Sequence, residues 1–378
     1  MVARALLDEL TFGAVSRRER PVSSHVPYTR HVDDHIIRTR DGLVLTIFKL
    51  EGYPFETSDI SEVNARLLGR NDVVRTLANS RFALVSHIVR REVQPRIDSS
   101  FNNPFCRELD ERYNAALSKR RMFVNDLYLT VVRRPLQGQA GTFELMLGKL
   151  LGRTDATGAS VTQQTALTEL RDVATAVREN LSGYGIRQLG VVARDGVWFS
   201  ETLEFLVQLL NGGLPRPMHL PRMDLADALA MKRIFFGRNA IELRGAGPSD
   251  TRFGAMVSIR EYPAQTGPGS FDNLLRVPHE IIATQSFAIV DRPEAAKQIE
   301  RVSRQVDMSD EAGSIVAEHL DAARDELLAS EAIYGEHHMT VMCLGRDLAE
   351  VGAAVTAVGA ALTDRSVIWT REDLNCEP

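Results

Sequence analysis

The sequence is poor in aromatic residues, which make up 6% of its 378 positions. A core of this composition is built mainly from Leu, Val, Ile and Ala, with few large rings to anchor it. Cysteine is scarce as well. Cys106, Cys343 and Cys376 lie far apart, and no CxxC spacing occurs. That argues against a zinc ribbon or a thioredoxin-like motif and predicts free thiols in a reducing compartment. No apolar run is long enough to span a bilayer. The start, MVARALLDEL, is too short and too charged for the apolar segment of a signal peptide. The longest low-charge stretch, VGAAVTAVGAAL from Val351, is flanked by Asp347, Glu350 and Asp364 and reads as a packed helix. Positive charge is not in excess either. The 45 Lys and Arg face 50 Asp and Glu, for a net charge of −5. A dominant nucleic-acid footprint shows the opposite balance.

Motifs that carry chemistry are missing too. The phosphate-cradling pattern GxxxxGK[ST] does not occur. Gly148-Lys149 runs on into Leu150, which has no hydroxyl to offer a magnesium ion. Gly245-Ala246-Gly247 is followed by Pro-Ser-Asp, which does not give the close helix start that dinucleotide binding needs. His337 and His338 are adjacent in an expected strand and so point to opposite faces. Cys343 falls on the face opposite His338, so no metal set assembles there. His279-Glu280 lacks the second histidine of a zincin. GxSxG is absent, and the scattered carboxylates nominate no acid–base pair. The residues therefore nominate no catalytic, cofactor-binding or metal-binding side chain.

What is there is a steady alternation of strand and helix signals. Asp41-Gly42 joins two β-rich runs, 35–40 and 43–50, as a tight hairpin. Ser58 and Asp59 cap a helix carrying Ile60, Val63, Leu67, Val74 and Leu77. Phe82–Arg91 and Phe123–Val132 read as strands around a helix opened by Asn103-Pro104 and running to about Arg121. Residues 137–160 form an excursion with one short apolar helix. Val161, Leu167, Leu170, Val173, Val177 and Leu181 share the face of an amphipathic helix. Ile186–Ala193 is a strand, Asp195-Gly196 a turn, and Glu201–Leu210 a helix.

Asn211-Gly212-Gly213 with Pro215, Pro217 and Pro221 marks a long connection. Beyond it, strands are expected at 234–236, 240–243, 256–262, 281–290, 338–344 and 366–370. Helical segments are expected from Pro293 to about Ala332, in two pieces, and again from Leu348. The fold class is α+β: mixed β-sheets with helices packed on one face, in two lobes that suit ferredoxin-like arrangements. The division is 1–30 as an N-terminal arm, 31–210 as the first lobe, 211–230 as the Pro/Gly-rich connection and 231–378 as the second lobe.

Two groups of residues stand out as sites. Arg90-Arg91 and Arg133-Arg134 close expected strands and, if gathered at one sheet end, would form an anion-docking or partner-contact patch. The bland alternative is a solvated rim of local ion pairs. The stretch TRFGAMVSIREYPAQTGPGSFDNLL from Thr251 holds the second group. Tyr262 and Pro263 end a strand, Gly267 and Gly269 allow a sharp reversal, and Ser270 caps a following helix. Tyr262, Pro263, Gly267 and Gly269 define a rigid structural corner.

Taken in order, several segments resemble the N-terminal region of the type IV secretion ATPases, the CagE/TrbE/VirB family of conjugal-transfer proteins. They are Val26-Pro27-Tyr28, His31-Val32, Ile36-Ile37, the Gly52 to Glu56 region, His87 to Arg91, and Asn125 to Thr130. The block SIREYP with its Pro-Gly bend and Leu274-Leu275, then Thr284 to Phe287, Gly335 to His338 and Arg371 to Asn375, completes the series. The resemblance implies that the chain stops before a RecA-like ATPase domain, which would bind ATP and Mg. No ATP-site residue can be carried over to this sequence. It also implies a non-catalytic docking and oligomerisation role at the cytoplasmic face of the bacterial inner membrane. The implied partners are small inner-membrane subunits and further copies of the chain. The parent ATPase would energise pilus assembly and DNA or protein translocation. The competing readings are a nucleic-acid-binding module working through the arginines, and a stand-alone regulatory subunit.

Overall fold

A computed structural model describes residues 21–53, 58–77, 81–95, 99–134, 156–263, 266–267, 269–307, 313–329, 333–374 and 376. Most of the N-terminal arm and most of the 137–160 excursion lie outside the described residues. The first half gives β1 (Tyr28–His31), β2 (Ile36–Thr39), β3 (Val44–Leu50), α1 (Ile60–Thr76), β4 (Phe82–Val93), α2 (Pro104–Leu117), β5 (Met122–Arg133) and α3 (Ala156–Asn180). Then come β6 (Arg187–Gln188), β7 (Val191–Arg194), β8 (Val197–Ser200), α4 (Glu201–Leu210) and α5 (Leu225–Leu229). The rest is β9 (Arg233–Phe236), β10 (Ile241–Arg244), β11 (Arg252–Glu261), β12 (Glu280–Ile289), α6 (Arg292–Asp307), α7 (Gly313–Leu328), β13 (Gly335–Gly345), α8 (Leu348–Thr363) and β14 (Ile368–Arg371).

The expected turns form where local chemistry demands them. Gly42 takes φ +83° between β2 and β3, and Asp195 and Gly196 take φ +50° and +77° between β7 and β8. Asn103 caps α2 by accepting from the Phe105 amide at 2.9 Å, with Pro104 in the first turn. The connection at 211–230 is tied down by Asn211. Its Nδ2 donates to the Val207 and Leu229 carbonyls, and its Oδ1 accepts from the Lys232 amide.

The fold is α+β, and every described strand pairing is antiparallel. Twelve strands form one sheet in the order β1-β2-β3-β5-β4-β12-β13-β11-β10-β9, with β6 added to β3 and β14 to β11. β7 and β8 form a separate ribbon. The two halves of the sequence meet where β4 pairs with β12, from Ile281 opposite Arg90 to Ala288 opposite Ala83.

Helices cover both faces of this sheet, where a one-faced arrangement was expected. The reason lies in the strands. Successive strand residues point to opposite faces, and here both sets are apolar. Ile36 and Ile37 are 1% and 0% exposed. Ile36, Val44, Phe48 and Val131 pack on one face with Leu170, Ala174 and Val177 of α3. Ile37, Leu45 and Ile47 pack on the other with Leu203, Phe205 and Leu206 of α4. In the second half, Val257, Ile281, Val341 and Cys343 pack against Val351, Ala354 and Val358 of α8. Their strand neighbours Ile282 and Leu344 join the α4 side.

Two contacts in these cores are unusually tight or polar. Trp369 of β14 lies against Gly359 of α8, so closely that a Cβ on Gly359 would sit 2.0 Å from the indole. The indole Nε1 donates to Thr363 Oγ1 at 3.1 Å. On the opposite face, His87 is edge-on to Phe205 at 5.4 Å, and its Nδ1 lies 3.0 Å from Thr284 Oγ1. Burial disfavours the imidazolium and holds the His87 pKa at about 4.

Gly359→Ala should lower the thermal midpoint, because overpacking costs about 1–3 kcal/mol and outweighs the ~1 kcal/mol gain in helix propensity. An unchanged or higher midpoint, with unaltered tryptophan fluorescence, would refute this. His87 sets a pH dependence of definite sign. The unfolded imidazole takes a proton near 6.5, whereas the folded one takes it only near 4. The unfolded state therefore binds more protons in that window, and stability falls as pH drops. The loss from this residue is about 2 kcal/mol between pH 7 and pH 5. Urea unfolding of His87→Gln should lose correspondingly less over the same interval; parallel pH profiles would rule out His87 as the source.

Candidate functional site

The two arginine doublets do not meet. β4 and β5 are antiparallel, with Phe82 opposite Arg133 and Arg90 opposite Asn125. Each doublet closes its own strand, so antiparallel pairing sends them to opposite ends. Eight residues along β4 separate the two levels, about 26 Å at the usual strand rise. Lys119, Arg120 and Arg121 precede β5 and so lie at the Arg90 end.

Each of the four guanidinium groups has partners within the chain. Arg90 is 8% exposed; its Nε donates to the Val277 carbonyl at 2.6 Å and its Nη1 to Asn125 Oδ1 at 3.0 Å. Its guanidinium also lies over the Phe123 ring, and burial lowers its pKa. Arg91 Nε donates to Asp126 Oδ2 at 2.7 Å, and Lys49 Nζ reaches Oδ1 of the same carboxylate at 3.1 Å. Burial works to raise the Asp126 pKa, but these two cations outweigh it and hold the carboxyl below its usual range. Arg133 and Arg81 share Glu169 of α3, at 3.1 and 2.6 Å. Arg134 Nη2 donates to the Ile289 carbonyl at 2.6 Å, and burial lowers its pKa. Arg90 and Arg134 thus grip the chain just before and at the end of β12, one at each end of the β4–β12 seam.

The structural corner lies at the end of β11. Tyr262 Oη is 2.8 Å from His337 Nδ1 of β13, with the rings 5.3 Å apart. Gly269 takes φ +80°, which favours glycine. The Ser270 hydroxyl donates to the Gly267 carbonyl at 2.7 Å and accepts from the Gly267 amide at 2.9 Å. It therefore closes the bend and does not cap a helix. The helix that follows is a 3₁₀ segment, Asp272–Arg276, with no side-chain cap. Phe271 holds the N-cap position, so Ser270 stands one residue too early to cap it. The bend walls a cleft of about 710 Å³ whose other sides include Leu67 and Arg70 of α1, Ile88 and Gln285. A second cleft, of about 290 Å³, holds Asp250, Arg252, Glu280 and Arg346. There Arg252 pairs with Glu280, and Asp250 binds both Lys232 and Arg216 at 3.0 Å. Among the described residues, no group of three or more His, Cys, Asp or Glu is placed to hold a metal ion.

Two apolar surfaces escaped the sequence reading. Phe105, Leu109 and Tyr113 of α2 are 70%, 57% and 54% exposed, and no residue of that helix is buried. Their i, i+4, i+8 spacing gave a stripe, but spacing alone does not say whether a stripe is covered. In the β7–β8 ribbon, Val197 and Trp198 are exposed, as is Leu220, whose amide donates to the Trp198 carbonyl at 3.0 Å. No helix of the described residues is long and apolar enough to cross a membrane.

Comparison with known proteins fits this scaffold. Residues 35–140 match the family model for the type IV secretion system ATPase VirB4/TrbE, N-terminal domain. Residues 187–378 match the model of the CagE, TrbE, VirB family, component of type IV transporter system. A type IV secretion system protein virB4 of Bartonella henselae is 30% identical over 364 residues, covering 96% of this chain and 46% of that protein. Protein virB4 of Rhizobium radiobacter is 27% identical over 97% of this chain and 45% of its own length. The type IV secretion system protein PtlC homolog of Bordetella bronchiseptica is 28% identical, over 96% and 43%. The chain spans less than half the length of these relatives. With two family models meeting on one continuous sheet, the chain belongs to the CagE, TrbE, VirB family of type IV transporter components.

Proposed function

We propose that this chain is the docking and oligomerisation region of a type IV secretion ATPase, with no ATP chemistry of its own. The observation that carries the reading is the β4–β12 pairing. It fuses the two family-matched regions into one scaffold. Arg91, Arg133 and Arg252 of that scaffold are paired with carboxylates, and exposed apolar side chains include Phe105, Leu109 and Tyr113 on α2 and Val197 and Trp198 on the β7–β8 ribbon. A scaffold of this kind presents surfaces to partners. Exposed aromatic residues such as Trp198 are the usual anchors of such contacts. ATP and Mg would be held by an ATPase region of the parent protein, which would energise pilus assembly and translocation of DNA or protein. The partners would be small inner-membrane subunits of the secretion machine and further copies of the chain, at the cytoplasmic face of the bacterial inner membrane.

The test is affinity capture of those subunits by this chain after co-expression, with Trp198→Ser in parallel. The expected result is capture by the parent chain and about tenfold weaker capture by the variant, since an anchor residue carries at least 1.4 kcal/mol. Arg91→Ala should leave capture unchanged. Arg90 is unsuitable for this comparison because it braces the fold. No capture, combined with DNA binding that weakens steeply with salt and with Arg91→Ala, would replace docking by nucleic-acid binding.

A further inference from the structure

We infer that α2 is an interfacial helix, which lies flat on an anionic lipid surface and buries Phe105, Leu109 and Tyr113 among the acyl chains. The helix connects β4 to β5 at one end of the sheet, and among the described residues nothing covers its apolar stripe. A helix of 14 residues is about 21 Å long, too short to cross a bilayer and long enough to lie along it. The wheel fits such a placement. Phe105, Leu109, Tyr113 and Ala116 fall within one arc, joined by Cys106 and Leu117 at its edge. Glu111 falls on the far side, away from the apolar arc. Phe101, just before the helix, is a further exposed aromatic.

Charge favours lipid over a protein groove. Directly after the helix stand Lys119, Arg120 and Arg121, all exposed. Arg121 is bound to Glu92 at 2.9 Å, but among the described residues no carboxylate pairs with Arg107, Lys119 or Arg120. Within the helix Glu108 is paired with Arg112 at 2.6 Å, whereas Asp110, which accepts from the neutral Asn114 amide, and Glu111 keep their charge, so the surplus of cations lies beyond the helix end at Lys119 and Arg120. An apolar ridge next to uncompensated cations, on a chain whose net charge is −5, is locally complementary to anionic headgroups. This contact would be made by the chain itself, so it does not depend on any protein partner.

The experiment is vesicle co-sedimentation of the full chain. Vesicles of phosphatidylcholine alone are compared with phosphatidylcholine–phosphatidylglycerol mixtures, at low and high salt. Binding should require the anionic lipid and weaken with salt. Phe105→Ser with Leu109→Ser should reduce it at least tenfold, with far-UV circular dichroism unchanged because neither side chain packs in the fold. Lys119→Ala with Arg120→Ala should remove most of the salt-sensitive part. Glu111→Lys, on the far side of the helix, should strengthen binding about twofold at low salt, with far-UV circular dichroism unchanged. Equal binding by the parent and the Phe105→Ser, Leu109→Ser variant would overturn the inference. So would concentration-dependent dimerisation without lipid that this variant abolishes, since that would assign the stripe to a second copy.

Discussion

Everything in this molecule hangs on the hydrogen-bonded seam between β4 and β12. Eight residue pairs cross it, joining strands that lie nearly two hundred residues apart in sequence. On one side the sheet continues through β5, β3, β2 and β1, and on the other through β13, β11, β10 and β9. Arg90 and Arg134 secure the seam at its two ends by donating to backbone carbonyls of the β12 segment. Their value there is positional. A guanidinium with little exposure gains modest net energy from such bonds, but displacing it would leave buried polar groups without partners.

The seam also dictates the layering. Its strands carry apolar residues on both faces, Ile88 and Ile281 on one and Val89 and Ile282 on the other, so helices must supply cover on both. α3 and α8 cover one face from either side of the seam, and α4 covers the other. Between α1 and the Gly267–Gly269 bend, cover is incomplete, and the cleft floored by Ile88 and Gln285 remains. β11 ends at Glu261, directly before Tyr262 and Pro263, and further along the chain the Val277 carbonyl meets Arg90.

Local features of this architecture were legible in the sequence, and non-local ones were not. Asp41-Gly42, Asp195-Gly196 and Asn103-Pro104 act through their own backbone preferences, so they read correctly in isolation. The amphipathic α3 read correctly because its period is intrinsic. The family resemblance, carried by the order of many weak segments, agreed with the comparisons. The arginine doublets misled because their placement depends on the direction in which β4 and β5 pair. Ser270 misled because a hydroxyl can serve either a helix start or the bend before it. The two-sided burial of strands such as β2 was written in Ile36-Ile37, yet the same pattern suits a one-faced sheet with an irregular edge. The stripe on α2 was visible as a pattern, but its exposure depends on what the rest of the chain leaves uncovered.

The wide sequence gap across the seam also bears on how the chain is made. β5 lies between β3 and β4, so once residue 133 has emerged, β4 offers its other long edge to solvent. Its partner is complete only at Ile289. At about 5–20 residues per second of synthesis, that edge stands open for roughly 10–30 s. A twelve-residue unpaired strand is a template for pairing with any neighbouring nascent chain. The polar pairs Ser86-His87 and Arg90-Arg91 along β4 temper that hazard during translation, quite apart from what they do once β12 arrives.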